Sequence, residues 1–330
     1  MEYILLISGL AAGFYMAWSI GANDLANAMG TLYGSEALKF RHIVIIAAPL
    51  NLAGAVFFGS RVIETIGGGL VSYISPLAAF SGLLAAAIFL TLATYFRMPV
   101  STTHSIIGAI LGYGLIEMGV EGVNWGTIFI VVSSWIISPL AGIGMGFIVH
   151  KFIRKYGLSK IRDISKEESL YFIPLIAGAG YESFANGSNA VANAVALVGV
   201  ILANGVATGE EFIVPGWIVI FGGVGMVIGL VTFGERVMNT IGKRITRINN
   251  PRGYSAEFSA ATIVLVCSYL GLPVSTTHAS IGTVSGVGYA RGREKVNPKT
   301  LGKIIISWAL TLPIAGGICG AIYLALSTVI

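Results

Sequence analysis

The residues best equipped for chemistry in this chain of 330 residues are polar groups set inside apolar runs. Residues 21–28 read GANDLANA and put Asn23, Asp24 and Asn27 at the end of an apolar segment that begins at Tyr3. Asp24 is one of two aspartates in the sequence. A hexapeptide, PVSTTH, stands at 99–104 and again at 273–278, and supplies Ser101, Thr102, Thr103, Ser275, Thr276 and Thr277. A further cluster, 186–193, holds Asn186, Asn189 and Asn193, with Glu182 and Ser183 just before it. Polar and ionisable groups at membrane depth are costly and mark substrate and ion sites. Each PVSTTH reads as a helix start, because proline interrupts the segment before it and serine is a good N-cap. A helix start presents free N–H groups and the positive end of the helix dipole, a site for an anion. The hydroxyls add donors, and two such starts converging from opposite sides suit a tetrahedral oxyanion. Asp24 and the amide and hydroxyl oxygens near it are hard ligands fit for Na⁺. Glu182, next to Ser183 and Asn186, is a second candidate carboxylate. No Lys or Arg lies inside these blocks. A carboxylate and an oxyanion in one dry site repel unless a cation bridges them, which predicts symport of the anion with Na⁺ or H⁺.

The elements that must hold these groups are membrane helices. The chain is 55% hydrophobic and 11% charged, with a mean hydropathy of +0.84. Soluble domains carry roughly 25% charged residues. Stretches such as 43–58, 126–149, 213–233 and 304–326 are long enough to cross a bilayer as helices. The first apolar run follows Glu2 in place of a basic segment and is expected to stay as a span. Cys267 and Cys319 both fall in apolar segments, which supports neither a disulfide framework nor a zinc site. The pI near 9.2 comes from basic loops between spans, so nucleic acid is not an expected partner.

The polar blocks recur in order. GANDLANA (21–28) answers GSNAVANA (187–194), GSRVIETIG (59–67) answers GERVMNTIG (234–242), and SWIISPLAG (134–142) answers SWALTLPIAG (307–316). The chain is therefore two copies of one unit: 1–149, a charged linker at 150–168, and 169–330. Lys and Arg gather in 151–166, 236–252 and 291–303, whereas 62–96 and 115–125 have none. After the opening block the first copy has Lys39 and Arg41, and the second has the acidic NGVATGEEF (204–212). Basic loops face the cytoplasm. Equivalent loops thus lie on opposite sides, the copies are inverted, and both termini are predicted outside. The predicted fold is an all-α polytopic membrane protein. It has two inverted-topology repeats of about five apolar passes each, with broken or re-entrant helices at the midplane. His104 and His278 could titrate or simply orient the helix starts. Arg61 and Glu64 are spaced for a helical ion pair, Glu257 has Leu83 opposite it, and Trp135 and Trp308 read as packing anchors.

GANDLANAMGT and the doubled PVSTTH resemble the signature blocks of the inorganic phosphate transporter family, the Na⁺- or H⁺-coupled phosphate symporters. The resemblance covers nearly the whole chain. It implies import of phosphate by symport with Na⁺ at a central site, in a homodimer in the cytoplasmic (inner) membrane. No cofactor and no enzymatic step are implied beyond Na⁺ as coupling ion. Phosphate would lie among Ser101, Thr102, Thr103, Ser275, Thr276 and Thr277 with Asn23 and Asn189. Na⁺ would take Asp24, Asn27 and Asn193, with Asn186, Ser183 and Glu182 as further ligands. Many family members carry a second aspartate where this chain has Ala190, which leaves Asp24 unmatched. Coupling to H⁺, sulfate as the tetrahedral oxyanion, and a passive anion channel are the alternatives.

Overall fold

The computed structural model describes residues 2–161, 163–208, 212–244, 248–292 and 296–329. Arg162, Glu210, Glu211, Arg247, Arg293 and Lys295, part of the charge pattern that assigns sides, lie outside the described residues. In the first half, α1 (Glu2–Ile20) runs on through a π-turn over Gly21–Leu25 and a further turn, Ala26–Ala28. Then come α2 (Gly30–Gly34), α3 (Phe40–Phe58), α4 (Ser60–Gly68), α5 (Pro76–Tyr95), α6 (Thr102–Glu117) and α7 (Trp125–Phe152). After α8 (Ile164–Leu170), the second half repeats the series. It runs α9 (Phe172–Ala190), α10 (Ala192–Leu202), α11 (Gly216–Phe233), α12 (Glu235–Arg244), α13 (Asn250–Tyr269), α14 (Thr276–Tyr289) and α15 (Pro298–Ser327). Two short strands, β1 (Tyr73–Ile74) and β2 (Val206–Ala207), pair antiparallel and tie a loop of one half to a loop of the other.

Local sequence sets these boundaries. Ser75, Asn124, Asn249 and Asn297 cap α5, α7, α13 and α15 with their side chains, and proline follows within the first turn in α5, α13 and α15. Among the described residues, seven helical stretches are long and apolar enough to cross a bilayer. Neither α6, with 16 residues, nor α14, with 14, is among them. At 1.5 Å per residue they reach about 24 and 21 Å, less than a hydrocarbon core of about 30 Å. Instead α5–α6 and α13–α14 form two hairpins whose tips meet. Thr103 Oγ1 donates to the Val274 carbonyl at 3.1 Å, and Thr277 Oγ1 donates to the Val100 carbonyl at 3.0 Å. With one hairpin and three longer passes in each half, this is the inverted-repeat architecture expected.

The halves interlock rather than sit side by side. α1 packs on α5 and α11, and its counterpart α9 packs on α13 and α3. Likewise α6 packs on α15, and α14 on α7. In lipid, helix association relies on close packing of small residues. The opening glycine of each block is one of them: a Cβ at Gly21 would strike the Met226 carbonyl, and one at Gly187 the Asn51 carbonyl. The large exposed side chains, such as Phe57, Phe129, Ile136 and Ile306, lie on the outside, as a lipid-facing surface requires. Two local details differ from the expectation drawn from sequence. Helix α7 continues to Phe152 and ends in a π-turn, Ile153–Gly157, so the helix intrudes on the stretch expected as linker. Arg61 does not reach for Glu64. It donates to the Tyr269 carbonyl at 2.5 Å and lies over the Tyr269 ring, because the second hairpin's tip comes within its reach.

Candidate functional site

Asp24 sits in the π-turn that ends α1 and is 1% exposed. The turn carries the carboxylate to the place where both hairpin tips end. Ser101 and Ser275 cap α6 and α14, accepting from the backbone N–H of His104 at 3.1 Å and of His278 at 3.2 Å. That leaves the threonine hydroxyls of both first turns on the carboxylate. Thr102 Oγ1 donates to Asp24 Oδ2 at 3.0 Å. Thr276 donates to Oδ1, and Thr277 approaches the same oxygen at 3.4 Å. Two helix N-termini, each with about half a positive charge from its dipole, thus converge on one buried carboxylate. Thr103 and Thr277 form the other pair, each donating its hydroxyl to a carbonyl of the opposite tip.

The paired asparagines divide into two sorts. Asn23 donates to Thr94 Oγ1 at 2.9 Å and to the Met98 carbonyl at 3.0 Å, and accepts from Val100 N–H at 3.2 Å. Asn189 mirrors the donations, to Ser268 Oγ at 3.2 Å and to the Leu272 carbonyl at 3.1 Å, but its Oδ1 is buried with no partner among the described residues. Each pins the hairpin tip of its own half, which fixes where the helix starts point. Asn27 and Asn193 face inward with capacity unused. Both polar side-chain atoms of Asn27, and Oδ1 of Asn193, are buried with no hydrogen-bond partner among the described residues. Asn193 Nδ2 reaches Thr102 Oγ1 at 3.4 Å and Thr103 Oγ1 at 3.2 Å, so Thr102 links it to Asp24. Buried amide oxygens without donors are uncommon in folded proteins and fit a bound cation. Asn186 accepts from Asn51 Nδ2 at 3.1 Å and comes close to Asp24, its own Nδ2 falling outside strict hydrogen-bond geometry. The Ser183 hydroxyl donates to the Ala47 carbonyl at 2.8 Å, away from the carboxylate.

The histidines orient the helix starts in this geometry. His278 Nδ1 lies 3.0 Å from the Trp135 carbonyl, and His104 Nδ1 lies 3.4 Å from that of Trp308. A carbonyl only accepts, so Nδ1 carries the hydrogen in both rings. The His104 ring stacks on Trp135 and the His278 ring on Trp308, with centroids 3.8 and 3.6 Å apart, and each ring ties its helix start to the last helices of the two halves.

The sequence model of the phosphate transporter family matches residues 20–319, which include both hairpins and the whole Asp24 site. This chain belongs to the phosphate transporter family. A protein of Pyrococcus abyssi named as a phosphate permease is 38% identical, over 96% of this chain and 97% of the relative. The chloroplast inorganic phosphate transporter 2-1 of Arabidopsis thaliana is 35% identical, over 97% of this chain and 72% of its own length. A solved structure titled as the sodium-dependent phosphate transporter superposes with a TM-score of 0.91 at 33% identity, covering 99% of this chain and all of that one. Family and fold are those of a phosphate transporter.

Within this phosphate transporter, a second acidic feature adjoins the first. Ser280 Oγ donates to Glu182 at 2.5 Å and Thr31 donates to Glu257, on two helices, α9 and α13, that pack together, and Glu257 Oε2 is buried with no partner among the described residues. Glu182 is 4% exposed and Glu257 fully buried. In the sequence Glu257 stands out only as the residue opposite Leu83. It sits 75 residues from Glu182, and no local spacing brings them together. Among the described residues, the salt bridge is Arg154–Glu167 on the linker side, so the buried carboxyls have no basic side chain paired to them. Burying charge without compensation is expensive, and cations or protons must supply it.

Proposed function

We propose that this chain imports inorganic phosphate across the cytoplasmic membrane by symport with Na⁺. The observation that carries this reading is the Asp24 carboxylate held by hydroxyls from both helix starts. An anion attracted to those same N-termini meets a negative charge. A Na⁺ on Asp24, with the unpartnered oxygens of Asn27 and Asn193, removes the repulsion and lets phosphate take the hydroxyls of Ser101, Thr102, Thr103, Ser275, Thr276 and Thr277. Binding of either ion then favours binding of the other, which is the coupling. Asn23 and Asn189 serve by holding the tips. Asn186, close to Asp24, is a further ligand for Na⁺, while Glu182 is held by Ser280 and the Ser183 hydroxyl by the Ala47 carbonyl. The gathering of basic loops on one side supports an orientation with both termini outside. Two halves, each a repeat, make up one transport unit, and the family resemblance carries assembly of two such units as a homodimer.

The test is uptake of ³²P-labelled phosphate by proteoliposomes holding the purified chain. An inward Na⁺ gradient should drive accumulation above equilibrium, and replacing Na⁺ by K⁺ should abolish it. One observation favours a second reading, coupling to H⁺: Glu182 and Glu257 are buried on two packed helices with no basic side chain paired to them among the described residues. Uptake that follows a pH gradient and ignores Na⁺ would select that reading. Equilibration without accumulation under either gradient would select a channel. Competition by sulfate in the same assay decides the anion.

A further inference from the structure

A cavity of about 310 Å³ lies behind the first hairpin tip, and its wall is shared with the site. Arg97, Met98, Pro99, Thr240, Thr300 and Lys303 line it. Met98 is the residue whose carbonyl is held by Asn23, one position before Asp24. Thr240 and Thr300 come from two of the three segments rich in basic residues, 236–252 and 291–303, so the cavity lies toward the side with the basic loops.

The second half's own mirror image shows that the charge here is not a by-product of the fold. The counterpart of Thr240 is Thr65, and the two make equivalent bonds. Thr240 Oγ1 donates to the Arg97 carbonyl at 3.0 Å, and Thr65 Oγ1 to the Gly271 carbonyl at 2.8 Å. Arg97 and Gly271 both adopt left-handed backbone, with φ of 59° and 73°. That conformation suits glycine and disfavours an arginine. The counterpart of Lys303 is Ile130. The mirrored position therefore has neither cation, and the backbone bond that shapes the tip needs no arginine side chain. A strained arginine beside a lysine in a cavity next to an anion site calls for a reason other than the turn.

The geometry points to a second, one-sided oxyanion site in this cavity, where Arg97 and Lys303 hold phosphate on its way between the central site and the side with the basic loops. The inference deepens the phosphate-transport reading and rests on it. Arginine and lysine together bind a phosphate through charge-assisted hydrogen bonds, and a cationic cleft raises the local concentration of anions.

The test uses Thr300→Cys, an uncharged position in the cavity wall, in a chain with Cys267→Ala and Cys319→Ala. Anionic and cationic methanethiosulfonates of similar size are compared on the reconstituted protein. The anionic reagent should react about tenfold faster than the cationic one, and phosphate should slow it at least threefold where chloride does not. Adding Arg97→Gln with Lys303→Gln should erase both the preference and the protection, and Lys303→Arg should keep them. Equal rates for the two reagents, or protection that survives loss of both cations, would overturn the site. Uptake of ³²P-phosphate in the same vesicles separates the two readings. Protection at Thr300 without any uptake keeps the site and removes the transport reading, whereas uptake without protection removes the site alone.

Discussion

Trp135 donates its indole N–H to the Pro273 carbonyl at 3.0 Å, and so bridges the first half's last helix to the second hairpin tip. Its counterpart Trp308 has a buried indole nitrogen with no partner among the described residues, although Pro99 stands in the mirrored place. The same contrast recurs farther out. Arg61 stacks on Tyr269 and donates to its carbonyl, whereas Arg236 lies over the Tyr95 ring, at 5.7 Å, and over the Phe233 ring. The second tip is latched twice. The first tip lacks both hydrogen bonds and is held at the arginine only by the Tyr95 ring contact, and the cavity with Arg97 and Lys303 opens beside it. Two nearly identical hairpins in unequal states fit alternating access, in which the two halves of an inverted repeat trade conformations. The charges follow the same one-sidedness. Asp24 faces Ala190 across the pseudo-symmetry, Glu257 faces Leu83, and Arg97 faces Gly271. Symmetry builds the moving parts, and its departures place the charge.

The sharpest way to break this comparison is at Asp24. Asp24→Asn keeps the shape and removes the charge that the Thr102 and Thr276 hydroxyls hold. Hydrogen bonds to a charged group contribute roughly 1.5–3 kcal/mol each, so Na⁺-driven uptake should fall about 100-fold or more while the folded protein is still recovered. Uptake at wild-type rate would remove Asp24 from the cation site. The threonines come next. Thr102 holds both Asp24 and Asn193, whereas Thr276 holds Asp24 alone. Thr102→Val should therefore weaken apparent phosphate affinity by about 30-fold and Thr276→Val by about tenfold, read as the KM for phosphate in uptake. Equal losses would mean that the halves contribute alike and that the Asn193 link is idle.

A smaller effect is expected at the tryptophans, and it tests the latches directly. Trp135→Phe removes one hydrogen bond, worth about 1 kcal/mol net, and should expose the second tip about fivefold more often. Cysteine placed at Leu272 would then react faster with an impermeant thiol reagent added from the side facing that tip. Trp308→Phe removes a nitrogen with no acceptor and should leave reactivity at Met98→Cys within twofold. A larger response at Trp308 than at Trp135 would reverse the assignment of open and closed sides.

Much of this arrangement is legible without coordinates, for a physical reason. The repeat, the helix starts at Ser101 and Ser275 and the convergence on Asp24 follow from local signals, namely proline, N-cap serine and block order. The division of labour among the asparagines is not legible in the same way. Asn23 and Asn27 look equivalent in GANDLANA, yet one pins a tip and the other carries unpartnered atoms. The difference depends on which side chain meets the hairpin tip, a contact with residues more than 70 positions away along the chain. Glu182 and Glu257 come together only because α9 packs on α13, a contact between helices distant along the chain. Arg61 finds the Tyr269 carbonyl for the same kind of reason, where its own helix offered Glu64.

Arg61 also supplies the smallest and most discriminating comparison. An exposed ion pair or stacking contact contributes about 1 kcal/mol or less, so neither Arg61→Ala nor Arg236→Ala should unfold the protein. Their effects on transport should nevertheless differ. Arg61 bonds the second tip in the state described here, so its loss destabilises that state and should change the steady-state rate of ³²P-phosphate uptake by about threefold. Arg236 touches its tip through the Tyr95 ring and should change the rate by less than twofold. If the latches exchange during the cycle, Arg236 acquires in the opposite state the bond that Arg61 has in this one. Holding the protein open to the opposite face, for instance with a thiol reagent on Leu272→Cys, should then make Arg236→Ala the more destabilising of the two, read as the midpoint of thermal unfolding. Damage from Arg61→Ala that is the same in both states would mean that Arg61 serves packing and that the two hairpins do not trade places.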